Sequence, residues 1–454
     1  MKAIFFLLAA ALAADPSQPS SKDSPRELRS IRSSGELTAV EISLEAGGDL
    51  KVRHADKVNS VKMSVVGELA YEERILAYPA TEEGTWRSLR RYSSAAATLK
   101  IGQNAVKPAL RDDRRLIAAT VHGTGTNLYC PAGPLSREGL DLLNISGDGI
   151  ANSLVVDRLL PVRPVAVGQS WPHSRDTVGV LLGLDSVRKS DVQSTFVSEA
   201  NGTARIQMSG RVEGTSDGAA VQLEVKAKYQ VDLKTKRVSW FGLLVRENRE
   251  IGEVVPGTDV VLRLEMKITP IGKSKHLTDA VVLALPPEPP AEKLDLEHRS
   301  ADGLWSLAYD RDWYITADER DLTVLKLMDQ GERIAQCNVS SLQKVDAAKL
   351  PTLAEFQEEV RGALGKSFGE FIEAGQSPNE LKYRVYRVVV RGSVNDLPIQ
   401  WHYYLVADAQ GNQAAFAFTL DAAALARLNG ADKRLVNQLH FADTKVAAKP
   451  TPAK

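Results

Sequence analysis

The sequence predicts a β-rich α+β protein: an N-terminal curved antiparallel sheet, half-barrel-like with room for two lobes, followed by a C-terminal antiparallel sheet covered by helices. Three observations carry this prediction. Apolar and polar residues alternate with period two through much of residues 36–285. Helical spacing is confined to short stretches, the clearest being Leu353, Phe356, Val360 and Leu364. Between the two patterns lies Pro286-Pro287-Glu288-Pro289-Pro290, whose prolines donate no ladder hydrogen bonds and favour an extended rod.

The 454 residues exceed what one core usually holds, so the chain divides by expectation into a β-rich domain over 36–285, a linker over 286–293 and an α+β domain over 294–443. Residues 444–454 read as a disordered tail. In the first part, Val40, Ile42 and Leu44 alternate with Glu41, Ser43 and Glu45 until Gly47-Gly48, which reads as a hairpin. Similar segments recur at 62–71, 85–92, 95–101 and 115–122. Ser136 is placed to cap a short helix carrying Leu140 and Leu143, and a second helix is expected over about 152–160. Long strands follow at 203–212, 219–232, 237–250 and 259–269, lengths that suit a broad curved sheet.

Beyond the prolines, strands are expected at 305–309, 322–328 and 334–339, then a helix over 352–364 and strands at 383–392, 397–406 and 413–419. A last helix over 422–439 carries Leu425, Leu428, Leu435 and Leu439, with Gly430 weakening its middle. The order β, β, β, α, β, β, β, α is that of a sheet with helical cover.

The first residues predict export. Lys2 precedes an apolar run from Ala3 to Ala14, too short to span a bilayer, and Ala11 with Ala13 supplies the small-residue pattern for cleavage after Ala13 or Ala14. Residues 15–35 then read as a polar, disordered mature N-terminus. The expected location is therefore periplasmic or extracellular, with no transmembrane segment. With 57 basic and 57 acidic residues no global field draws the chain to nucleic acid. Cys130 and Cys337 fall in different proposed domains without CxxC spacing, so no disulfide framework is expected.

No motif specifies a reaction. Ser170, in Gly168-Gln169-Ser170-Trp171-Pro172, lacks the second glycine of a nucleophile elbow. The glycines of residues 122–127 precede no Lys-Ser/Thr pair and read as a hairpin turn. The seven histidines show no zinc spacing, and Asp310-Arg311-Asp312 and Asp318-Glu319-Arg320-Asp321 read as solvated turns. Neither catalytic residues, metal ligands nor a cofactor are expected. The one surface that invites a ligand is apolar: Val221, Leu223, Val225 and Tyr229 share a face of one strand, and Trp240 and Leu244 share a face of its neighbour. Left uncovered by the short helices, this concavity would take an apolar molecule.

Leu159-Leu160-Pro161 through Val167-Gly168-Gln169-Ser170-Trp171, with β-rich halves on either side, resembles an uncharacterised family of exported planctomycete proteins. The halves also resemble the half-barrel of lipoprotein carriers of the LolA type. The C-terminal part, with Trp305 to Trp313 and Gln400-Trp401-His402-Tyr403-Tyr404, is similar to PsbP-type α/β/α sandwiches. These resemblances imply folds and no catalytic residues. The expected function is that of an exported, non-catalytic binding or interaction protein, with an envelope protein as partner; a lipid carrier and an enzyme of unrecognised type are the alternatives.

Overall fold

The computed structural model describes residues 24–30, 32–54, 57–79, 84–122, 125–144 and 153–442. The expected signal peptide and C-terminal tail lie outside the described residues. From Arg26 the chain lies against the folded body, where a disordered leader was expected. Arg26 and Val165 exchange backbone hydrogen bonds, and Leu28 and Arg32 are buried. The apolar Leu28 and a buried partner for Arg32, Asp157, hold this stretch down.

The N-terminal strands are Leu37–His54 (β1), Lys57–Ala77 (β2), Trp86–Ile101 (β3), Asn104–Val106 (β4), Leu116–His122 (β5), Gly125–Tyr129 (β6), Ser170–Pro172 (β7), Ser186–Ser190 (β8), Gln193–Ala200 (β9), Thr203–Ser216 (β10), Ala219–Asp232 (β11), Arg237–Arg249 (β12) and Gly257–Pro270 (β13). They form one 13-stranded antiparallel sheet in the order β6-β5-β3-β2-β1-β13-β12-β11-β10-β9-β7, with β4 beside β3 and β8 beside β10. The path has two ends, so the sheet is not a closed barrel. Short helices α1 (Arg137–Leu143), α2 (Ser153–Asp157) and α3 (Arg175–Leu182) carry the residues that cover its inner face. Ser136 caps α1, its hydroxyl accepting from the Gly139 N–H.

Gly47-Gly48 makes no hairpin; β1 runs straight through it and turns only after His54. The glycines serve close approach instead. A Cβ on Gly48 would lie 2.1 Å from the Asp259 carbonyl oxygen of β13.

After α4 (Asp279–Leu283), the proline stretch and α5 (Ala291–Leu294) come ten further strands. They are Leu296–Arg299 (β14), Trp305–Tyr309 (β15), Trp313–Asp318 (β16), Leu322–Asp329 (β17), Glu332–Leu342 (β18), Phe368–Ser377 (β19), Arg384–Val394 (β20), Leu397–Ala407 (β21), Gln413–Asp421 (β22) and Leu439–Phe441 (β23). A seven-stranded sheet has the order β16-β17-β18-β22-β21-β20-β19, and β14-β15-β23 form a small third sheet. Helix α6 (Leu353–Leu364) starts in a capping box between Thr352 and Glu355 and lays Phe356 and Val360 over Val388, Val390 and Trp401. The single last helix expected over 422–439 is two, α7 (Leu425–Leu428) and α8 (Ala431–Asn437). Asn429 and Gly430, both at positive φ, break it.

The two parts of the chain meet directly. Leu135 bridges Leu296, the Glu297 N–H donates to the Leu135 carbonyl at 2.8 Å, and Arg137 donates to the carbonyls of Arg311 and Trp313 while lying over the Tyr314 ring.

Candidate functional site

The register between β11 and β12 decides which of the expected ligand residues belong together. Val225 pairs with Val245, Lys226 with Leu244, Lys228 with Gly242 and Gln230 with Trp240. Paired residues share a face, so Val221, Leu223, Val225 and Tyr229 lie with Phe241, Leu243 and Val245 on the inner face, and Trp240 and Leu244 lie on the outer one. The six residues therefore do not line one surface. The inner four are buried in the core shared with Leu154, Val155, Val178 and Leu181, and the Tyr229 hydroxyl bonds to Ser194 at 2.8 Å. Helices α2 and α3 supply the cover that the sequence left open.

Trp240 and Leu244 instead sit in a depression of about 800 Å³ on the outer face, running across β10, β11, β12, β13, β1 and β2. A bulge between β11 and β12 falls beside Trp240, between Gln230 and Val231. The indole lies against Gly242, where a Cβ would come within 2.5 Å of the ring, and Nε1 donates to Glu265 at 2.8 Å. Glycine at 242 thus lets the ring lie down on the sheet, and the carboxylate fixes its orientation.

Charge is sorted across this trough. Lys226 and Lys228 stand on β11 at one end, while Glu45 on β1 and Glu68 on β2 stand at the other, with Val66 exposed beside them and Arg263 of β13 directly opposite Glu45. Lys228, Arg263, Glu45 and Glu68 make no ion pair among the described residues. At about 4.8 Å per strand, β11 lies roughly 14–19 Å from β1 and β2. Two lysines, then Trp240 and Leu244, then Arg263 and the glutamates of β1 and β2 are thus presented in order. Sequence reasoning missed the five charges because it followed the apolar alternation; the polar positions between were the signal.

Two buried networks stand apart from the trough. Under the large sheet, Glu73 accepts from Arg90 at 2.9 Å and Ser88 at 2.8 Å and bonds Ser153, while Arg32 pairs with Asp157. Burial pushes the Glu73 carboxyl up, but Arg90, Arg32 and the serine hydroxyls outweigh it and hold it below its usual range. In the C-terminal sheet, Asp432 of α8 meets His402 Nδ1 at 2.6 Å and accepts from the Tyr404 hydroxyl at 2.7 Å, and Arg387 Nε donates to that hydroxyl at 2.8 Å. Burial raises the Asp432 pKa, yet these hydrogen bonds and the imidazole hold it down at about 2. His402 is buried, with its second nitrogen 2.8 Å from Gln400, so this imidazole–carboxylate pair faces protein rather than a cleft.

Asp310 and Asp312 border a cavity of about 850 Å³ that also holds Asp295, Asp329, Arg427 and Arg434. Burial, then the neighbouring Asp310 and Asp329, raises the Asp312 pKa. Among the described residues no three His, Cys, Asp or Glu side chains are arranged to hold a metal ion. Cys130 and Cys337 are buried free thiols, and burial pushes both up. Trp171 is half-buried, its Nε1 donating to the Leu159 carbonyl, and Ser170 bonds Thr195. No described helix is long and apolar enough to cross a membrane.

No protein-family model matches the chain, and no curated protein matches it. Among solved structures, the cyanobacterial PsbP of Synechocystis sp. PCC 6803 is similar over 35% of this chain and 98% of its own, at 14% identity and a TM-score of 0.27. The Ran-binding protein Mog1p of Saccharomyces cerevisiae covers 33% of this chain and 96% of its own, at 12% identity and a TM-score of 0.26. Lipovitellin covers 57% of this chain and 26% of its own, at 10% identity and a TM-score of 0.30. The similarity to the PsbP and Mog1 fold is weak.

Proposed function

We propose that the chain is an exported, non-catalytic binding protein that holds an extended segment of a partner protein, in an envelope setting, on the outer face of its large sheet. The observation that carries this reading is Trp240, laid on Gly242 and pinned by Glu265 between lysines on one side and glutamates on the other. A segment lying across the strands brings acidic groups to Lys226 and Lys228, an apolar side chain to Trp240 and Leu244, and basic groups to Glu45 and Glu68. At about 3.3 Å per residue, the 14–19 Å between the charged sides calls for a segment of about five residues. The enclosure of His402 and Asp432 supports a role without catalysis, and the packing of Leu223, Val225 and Tyr229 speaks against an apolar cargo on the inner face. Export rests on residues 1–14, the likeness to exported planctomycete proteins on residues 159–171 with the β-rich halves beside them, and the likeness to LolA-type half-barrels on those halves; all form part of the same proposal.

The test is fluorescence anisotropy with a short labelled peptide that is acidic at one end, apolar in the middle and basic at the other. Binding that weakens at least tenfold in Trp240→Ala and in Lys226→Glu/Lys228→Glu is expected, with an all-neutral peptide failing to bind. Absence of binding, or equal binding by the Trp240→Ala protein, removes the proposal.

A further inference from the structure

The β1–β2 hairpin reaches past both neighbours. Pairing of β1 with β13 ends at Lys51 opposite Gly257, and pairing of β2 with β3 begins only at Met63 opposite Ile101. Val52 to His54 and Lys57 to Asn59 therefore pair with each other alone, as the tip of a finger beyond the sheet, and at its base the Gly102 N–H donates to the Lys62 carbonyl at 2.9 Å. Beside its base, β3 folds back on itself through β4, with Leu99 opposite Val106.

The register makes this finger amphipathic. Leu50, Val52, Val61, Ile101 and Val106 share the face that continues the inner side of the sheet beyond Met63 and Leu99, which still pack against the core, and among the described residues no helix lies over the tip. Val52 is 38% exposed, Ile101 42% and Val106 57%, and Val58 at the tip is 58% exposed. Lys51, Arg53, Lys62 and Lys100 lie on the opposite face, and Lys57 and Lys107 stand nearby. Residues 49–63 and 99–107 thus hold six cations against Asp49 and Asp56, in a chain whose total charge is zero. Asp49 is already engaged by Lys62 at 2.7 Å and Ser60 at 2.9 Å.

We infer that this finger docks the protein onto an anionic phospholipid surface. Exposed aliphatic side chains flanked by lysines match a bilayer interface, where the apolar groups enter the acyl boundary and the ammonium groups reach back to the phosphates. Each lysine held near an anionic leaflet strengthens binding about fivefold, and aliphatic insertion provides the second signal that lasting attachment needs. An acidic protein surface would satisfy the cations without the aliphatics. A second copy would satisfy the aliphatics while bringing the two sets of cations together.

The test is co-sedimentation of the full chain with vesicles of phosphatidylcholine alone and of phosphatidylcholine with about one third phosphatidylglycerol. Binding is expected only to the anionic vesicles and is expected to weaken as salt rises. Lys51→Glu/Arg53→Glu/Lys57→Glu is expected to lower affinity at least tenfold, and Val52→Ser/Val106→Ser to remove the part that survives high salt. Lys51 is half-buried and the other sites are exposed, so circular dichroism of both variants should match the parent. Trp240→Ala should bind vesicles normally, which keeps this inference separate from the trough. No binding, equal binding to neutral vesicles, an unaffected triple variant, or concentration-dependent dimerisation through Val52 and Val106 without lipid would each overturn it.

Discussion

Gly218 and Gly331 meet backbone to backbone at the junction of the two large sheets. A Cβ on Gly218 would lie 2.2 Å from the Gly331 Cα, and one on Gly331 would lie 2.6 Å from the Gly218 Cα. Each follows a residue at positive φ, Asp217 and Gln330, and is itself at positive φ, so two tight hairpin tips touch end to end. Gly218→Ala or Gly331→Ala is expected to cost about 1–3 kcal/mol, through both the left-handed backbone and the lost contact. Urea denaturation measures it. Unchanged midpoints for both variants would show that the tips can part freely.

Removal of the Glu73 carboxylate takes from the buried Arg90, which lies over the Tyr71 ring, the anion that faces it at 2.9 Å. Glu73→Leu should therefore cost about 3–5 kcal/mol, while Glu73→Leu combined with Arg90→Met should cost less than the single change. A double-mutant cycle in denaturant decides, and a double variant weaker than the single one would contradict this account.

Asp432 ties α8 to the sheet through His402 and Tyr404. Its pKa is lowered on folding, to about 2, so its stabilising contribution is complete above the unfolded value near 3.8 and is lost as pH falls towards 2. The shift corresponds to about 2 kcal/mol. Asp432→Asn should flatten the acid limb of the stability curve in that window and lower stability at neutral pH; an acid limb identical to the parent's would remove Asp432 from the account.

His173 titrates in the opposite sense from a histidine with an acidic partner. Burial alone lowers its pKa to about 4, and its ring bonds the Ser194 hydroxyl at 2.7 Å. The unfolded chain then binds the extra proton, so this contribution is present above about 6.5 and lost as pH falls from there to about 4. His173→Gln should remove stability loss in that interval, as thermal melts across pH 4 to 7 would reveal.

Period-two alternation read from the sequence marked most long strands, the capping residue Ser136 marked the start of α1, and the spacing of Leu353, Phe356, Val360 and Leu364 marked α6. What alternation cannot encode is phase between strands. Trp240 and Leu244 were grouped with Val221 and Tyr229 because each set is periodic, yet the pairing of Lys226 with Leu244 puts the sets on opposite faces. Gly47-Gly48 misled for a related reason: glycine serves turns and close strand approach alike, and only the position of Asp259 tells which. Asp432 and His402 meet from different elements, so no local spacing announces them.

The pairing of β1 with β13, Thr38 opposite Pro270, closes a loop of more than two hundred residues. The edge of β1 away from β2 consequently has no partner until β13 is present, and assembly of the middle of the sheet is governed by slow, non-local contact formation. A nascent chain from which β13 has not yet emerged cannot complete this sheet. Until then the N-terminal part is a string of amphipathic segments whose decisive pairing forms only once residues 257–270 have arrived.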